Sequence, residues 1–126
     1  MKLHLSDTAG LNAITGHGPG HVLVNGQRHE SPLLLEPTRP PEPMPDLVLA
    51  GLRAELFDAI ARRDEVPEIV LLGTGARLRF PPMALLRPLS GAAIGYEVMD
   101  TAAACRTYNI LMGEGRRVLA LLLFDA

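Results

Sequence analysis

The hydrophobic positions change period along the chain, and those changes divide it into elements. His21-Val22-Leu23-Val24 and Gln27-Arg28-His29-Glu30 flank Asn25-Gly26. An Asn-Gly pair between short runs marks a tight hairpin, because both turn residues accept positive φ. Leu33-Leu34-Leu35 predicts a further strand after Ser31-Pro32, and Ile14 falls in another short one. Leu49, Leu52, Leu56 and Ile60 then recur at intervals of three or four, which is one buried face of a helix. Asp46, after Pro45, is its expected N-cap. Ile69-Val70-Leu71-Leu72 is a continuous apolar run ending at Gly73, as in a strand covered on both faces. Pro81-Pro82 opens a short helix to Leu89, with Pro82 near its first position. A strand is expected over 93–98. Asp100 or Thr101 then caps a helix running to Gly113, and Gly115 suits the turn just past it. Val118-Leu119-Ala120-Leu121-Leu122-Leu123 puts the last strand, 117–124, at the centre of a sheet.

Pro37, Pro40, Pro41, Pro43 and Pro45 interrupt this pattern. Residues 37–45 cannot be helical and supply few ladder donors, so they read as a stiff surface connection. The connection is too short to separate one domain from another. The expectation is one α/β domain over 1–126, with an antiparallel β start at 1–36, the Pro-rich connection at 37–45, and alternating helices and strands over 46–126.

Composition narrows the classes of function. A length of 126 residues suits one domain, and 48% apolar with 21% charged residues is ordinary for a soluble protein. Twelve basic and fourteen acidic residues leave a net charge of −2, which argues against nucleic acid as a partner. The longest apolar run, 118–124, is far short of the ~20 residues that a spanning helix needs, so an integral membrane protein is not expected. Residues 1–7 show neither a secretory h-region nor an Arg-rich amphipathic start. A single cysteine excludes an internal disulfide and suits a reducing, cytoplasmic setting.

Two segments carry candidate chemistry. Gly73-Thr74-Gly75-Ala76 follows a buried strand, where α/β sheets hold ligands and where small residues let the backbone approach an anion. Leu78 stands where a dinucleotide-binding loop needs its third glycine, and no Gly-Lys-Ser/Thr follows. The other reading of the glycines is a tight turn. The second segment is the helix start Asp100-Thr101-Ala102-Ala103-Ala104-Cys105-Arg106-Thr107-Tyr108-Asn109. Cys105 lies near the positive end of that helix, which favours a thiolate, yet no base accompanies it in sequence. A buried structural cysteine is the other reading. His4, His17, His21 and His29 all fall in the β start. His17 and His21 flank Gly18-Pro19-Gly20 without a third ligand, so no metal site and no cofactor are expected. Glu114-Gly115-Arg116-Arg117 reads as a helix exit whose arginines satisfy carbonyls or pair with carboxylates, or as a charged face for a partner.

Leu71-Leu72-Gly73-Thr74-Gly75, Pro81-Pro82, the block Glu97-Val98-Met99-Asp100-Thr101-Ala102-Ala103-Ala104-Cys105-Arg106-Thr107-Tyr108-Asn109-Ile110-Leu111, and Glu114-Gly115-Arg116-Arg117-Val118 together resemble a small domain of unknown function. Bacteria and archaea share this domain with the mitochondrial respiratory complex I assembly factor 3 proteins. The resemblance implies a compact three-layer α/β fold with a small central mixed sheet, in agreement with the N-terminal β-hairpin region and three helices read from the residues. It also implies that the bacterial members have no agreed activity, while the mitochondrial ones are non-enzymatic helpers in building complex I. The chain is therefore expected to be a non-catalytic binding or assembly-accessory module for a protein partner. Its candidate patch is Gly73, Thr74, Gly75, Asp100, Thr101, Cys105, Arg106, Tyr108 and Asn109. A small-ligand binder or enzyme using the same residues is the alternative. A homodimer through the final strand or the Leu85-Leu86 region is a third reading.

Overall fold

The computed structural model describes residues 10–124; His4 and the rest of the start read at 1–7 lie outside them. The fold is mixed α/β, with two sheets and three α-helices among the described residues. Strands β1 (Ile14–Gly18), β2 (His21–Val24) and β3 (Gln27–His29) form a small antiparallel sheet. Asn25 and Gly26 turn the second hairpin with φ of 50° and 83°, as the Asn-Gly pair predicts. The larger sheet contains β4 (Leu33–Glu36), β5 (Arg39–Pro43), β6 (Ile69–Thr74), β7 (Gly95–Met99) and β8 (Val118–Leu123), in the order β5-β4-β8-β6-β7. Strands β6, β7 and β8 run parallel, and β4 is antiparallel to β8.

The uninterrupted apolar run of β8 is divided between two cores. Val118, Ala120 and Leu122 face one side, where α3 (Thr101–Gly113) and the small sheet cover them. Leu119, Leu121 and Leu123 face the other side, under α1 (Ala54–Ala61) and α2 (Arg87–Gly91). This is the period-2 alternation of a strand, concealed in the sequence because both faces are dry. The result is three layers.

Several sequence expectations change. The proline-rich segment is not a plain connection, since Arg39–Pro43 is an edge strand paired with β4. An edge strand needs ladder donors on one side only, so prolines are tolerated there and blunt the edge against further pairing. The helix expected from Asp46 begins at Ala54, with Arg53 as N-cap and no side-chain cap. Leu49–Gly51 instead makes a single 3₁₀ turn, and Leu52 returns to extended backbone. The leucine spacing persists because Leu49, Leu52 and Leu56 all pack against the α1 core across that break. The helix expected from Pro82 is a 3₁₀ turn, Met83–Leu86, followed by α2. The next strand starts at Gly95 rather than Ala93, whose φ of 60° completes the turn out of α2. Strand β8 is flanked by β4 and β6 and buried along its length, and Leu86 is in the core. A homodimer through the final strand is therefore not supported.

Candidate functional site

The ends of the three parallel strands set the site. The loop leaving β6 runs toward α2 on one face, while the loop leaving β7 runs directly into α3 on the other. Diverging loops open a crevice at strand carboxyl ends. There the structure has a hollow of about 400 Å³. Gly75 and Ala76 line it from the β6 loop, Asp100, Thr101 and Ala102 from the start of α3, and Phe124 from beyond β8. The fourth wall, His17 to Gly20, is the tip of the β1–β2 hairpin.

Thr101 joins these pieces. Its Oγ1 donates to the Leu123 carbonyl at 2.5 Å and accepts the Gly75 N–H at 2.8 Å. The Thr101 N–H in turn donates to the Gly75 carbonyl at 2.9 Å. Strand end, loop and helix start are thus tied at one buried side chain. Asp100 caps α3 through Oδ1, which accepts the Ala103 N–H at 2.8 Å. The Gly75 amide is thereby engaged within the fold and is not itself free to cradle an anion. Gly73 is packed closely against the start of α3. A Cβ there would lie 3.0 Å from Thr101 Oγ1 and 3.1 Å from Ala104 Cβ.

The remaining residues of the expected patch are placed elsewhere. Thr74 is buried, and its hydroxyl reaches the Arg77 carbonyl at 2.6 Å while accepting the Arg79 N–H at 3.1 Å. Tyr108 is buried and donates its hydroxyl to the Asn12 carbonyl at 2.7 Å. Asn109 pairs with both backbone groups of Ile14, accepting its N–H at 2.9 Å and donating to its carbonyl at 2.7 Å. These two side chains fasten the small sheet to α3. Replacing Tyr108 with Phe should cost about 1 kcal/mol of unfolding free energy in a denaturant titration, since one part-buried carbonyl loses its donor. Arg106 is exposed and lines none of the hollow.

Cys105 is 1% exposed and sits in the core beside Tyr108 and Met112. Burial pushes its thiol up to about 11, against a smaller opposing effect of the Arg106 charge. It is a protonated core thiol at neutral pH, not a nucleophile. Iodoacetamide at pH 8 should leave it unmodified in the native chain and label it after unfolding in guanidinium; rapid native labelling would contradict this. The same shift works against the fold in alkali. The unfolded thiol ionises at lower pH than the folded one, so stability falls between the two values.

At the opposite end of the sheet, the charged helix exit is internally paired. Arg116 Nε lies 3.3 Å from Glu68 Oε1, which also accepts the Arg117 N–H at 3.2 Å, and Arg117 Nε donates to the Val66 carbonyl. The Arg117 backbone N–H, then the Arg116 side chain, hold the Glu68 carboxyl below its ordinary value. What stability this lends is present above the unfolded pKa and lost as pH falls through the folded one. Among the described residues, no three His, Cys, Asp or Glu side chains stand together as a metal site. No helix among them is long and apolar enough to cross a membrane.

The loop and the helix start are legible in the sequence, whereas the hairpin tip and Phe124 are missed there. Gly18-Pro19-Gly20 signals only a non-helical break and Phe124 only the end of an apolar run, because their proximity to the loop comes from sheet order.

The fold has clear counterparts. A crystal structure of a Bordetella parapertussis protein superposes with a TM-score of 0.84 at 40% identity, covering 93% of this chain and 98% of that one. A solution structure of a Bordetella pertussis protein, described as an Mth938-like domain, gives 0.80 at 36% identity over 100% of this chain and 94% of that one. An uncharacterized protein of Rhodobacter capsulatus is 37% identical over 117 residues, 91% of this chain and 86% of its own. The 13 kDa major membrane protein of Francisella tularensis is 28% identical over 105 residues, 82% of this chain and 84% of its own. The NADH dehydrogenase [ubiquinone] 1 alpha subcomplex assembly factor 3 of Danio rerio is 41% identical over 56 residues, which cover 44% of this chain and 32% of that protein. A family model matches residues 14–123, both sheets and all three helices included, and the chain belongs to that family, the proteins of unknown function DUF498/DUF598.

Proposed function

We propose that the chain is a non-catalytic binding module that assists the assembly of a larger protein complex and engages a protein partner through the hollow at the β6–α3 junction. The observation that carries this reading is the chemistry of the lining. His17 and Asp100 are its ionisable residues, and Asp100 already spends an oxygen on the helix cap. The rest is glycine, alanine, proline, Thr101 and Phe124. Such walls accept an inserted apolar side chain but provide no nucleophile–base pair. The partial similarity to the complex I assembly factor supports the accessory role. A cytoplasmic setting belongs to the same proposal, since one free, buried thiol suits a reducing compartment.

Ala76 is exposed at the rim, so Ala76→Arg should obstruct the hollow without disturbing the core. Affinity capture from cells followed by mass spectrometry should recover subunits of respiratory complex I with the unaltered chain. Recovery should fall roughly tenfold with Ala76→Arg, as for loss of a central contact. Equal recovery by both chains would overturn the proposal.

A further inference from the structure

Residues 69–96 contain Arg77, Arg79 and Arg87 and no aspartate or glutamate, in a chain whose formal net charge is −2. The loop between β6 and α2 in that segment also carries three of the five large exposed hydrophobic residues among those described. Leu78 is 51%, Phe80 63% and Met83 44% exposed, and Arg77 and Arg87, which bracket them in sequence, are exposed as well. Single exposed hydrophobic residues are ordinary, whereas three on one loop flanked by cations mark a contact surface.

The loop is held in that posture. Thr74 Oγ1 binds the Arg77 carbonyl and the Arg79 N–H, so the backbone on either side of Leu78 is pinned to the end of β6. The three apolar side chains stand out from the loop, and none lines the hollow.

We propose that residues 77–87 attach the protein peripherally to an anionic lipid surface. Leu78, Phe80 and Met83 enter the headgroup boundary, while Arg77 and Arg87 pair with lipid phosphates. Charge selects this occupant. A second copy docking face to face would set Arg77 and Arg87 against their own mates, whereas an anionic bilayer supplies both the apolar depth and the opposite charge. The inference stands independently of the hollow and its partner.

The chain has no tryptophan, so a single introduced one reports on its own position. Phe80→Trp, mixed with vesicles containing phosphatidylglycerol, should shift its emission to the blue and become protected from iodide. Vesicles of phosphatidylcholine alone should leave it unchanged. Ile110→Trp, at an exposed site on α3, should stay unshifted with both. Arg77→Gln and Arg87→Gln should each weaken partitioning on the order of fivefold, and added salt should act in the same direction. Flotation of the unaltered chain with the same vesicles gives an independent readout. An unshifted Phe80→Trp together with no flotation would overturn the proposal and leave an acidic protein surface as the occupant. Equal shifts with both lipids, or at both tryptophan sites, would overturn it as non-specific adsorption.

Discussion

Thr101→Val should lower the unfolding free energy by about 3 kcal/mol, because two buried backbone groups lose their partner while the side-chain shape is kept. The Gly75 N–H and the Leu123 carbonyl both end on this hydroxyl, and neither gains a substitute from a methyl group. Thr101→Ser separates the effects. It keeps the hydroxyl and removes one methyl, so it should cost only about 1 kcal/mol. Guanidinium titrations of the three chains measure both values. A Thr101→Val chain within 0.5 kcal/mol of the parent, a margin typical of inert surface changes, would mean that the hydroxyl does not hold the junction. The expected loss is local as well as global, since the β6 loop would no longer be tied to α3 and the hollow would lose its floor.

Gly73→Val is expected to cost about 3 kcal/mol, by overpacking rather than by a lost bond. The strand meets α3 at Gly73, where a Cβ would already stand 3.1 Å from the Thr101 Cα. That contact is backbone and cannot rotate away, so a branched side chain must push the helix off the sheet. Gly73→Ala should cost about 1 kcal/mol, since small shifts accommodate one methyl. Denaturation midpoints with unchanged slopes would locate both effects in the folded state. A fully tolerated valine would show that α3 rides higher than the structure places it.

Much of this architecture could be read from the residues, for reasons that are local. Asn25-Gly26, Asp100 as a cap and Gly115 at φ 80° each act within a few residues, so each signals its own geometry. The run 118–123 marked a central strand by composition alone. The failures come from side chains whose partners are distant in sequence. Asn109 falls on a helix stripe with Cys105 and Met112, yet it serves the backbone of Ile14, 95 residues away. Tyr108 likewise reads as a member of a surface patch, but its partner is Asn12. The proline segment misled because proline argues against a central strand, while the sheet offers it an edge. The candidate site was half legible for the same reason. Gly75 and Thr101 each carry a motif, whereas His17 to Gly20 and Phe124 arrive only through folding.

Thr101 closes the β6 loop onto α3 and so builds the hollow, and everything proposed for the hollow depends on that closure. Native-state hydrogen exchange at the Gly75 amide tests it most directly, because that N–H points at Thr101 Oγ1 in a buried position. This amide should exchange only through global unfolding, and Thr101→Val should move it to fast local exchange. An amide at Gly75 that already exchanges at the rate of an open loop in the unaltered chain would contradict the closure.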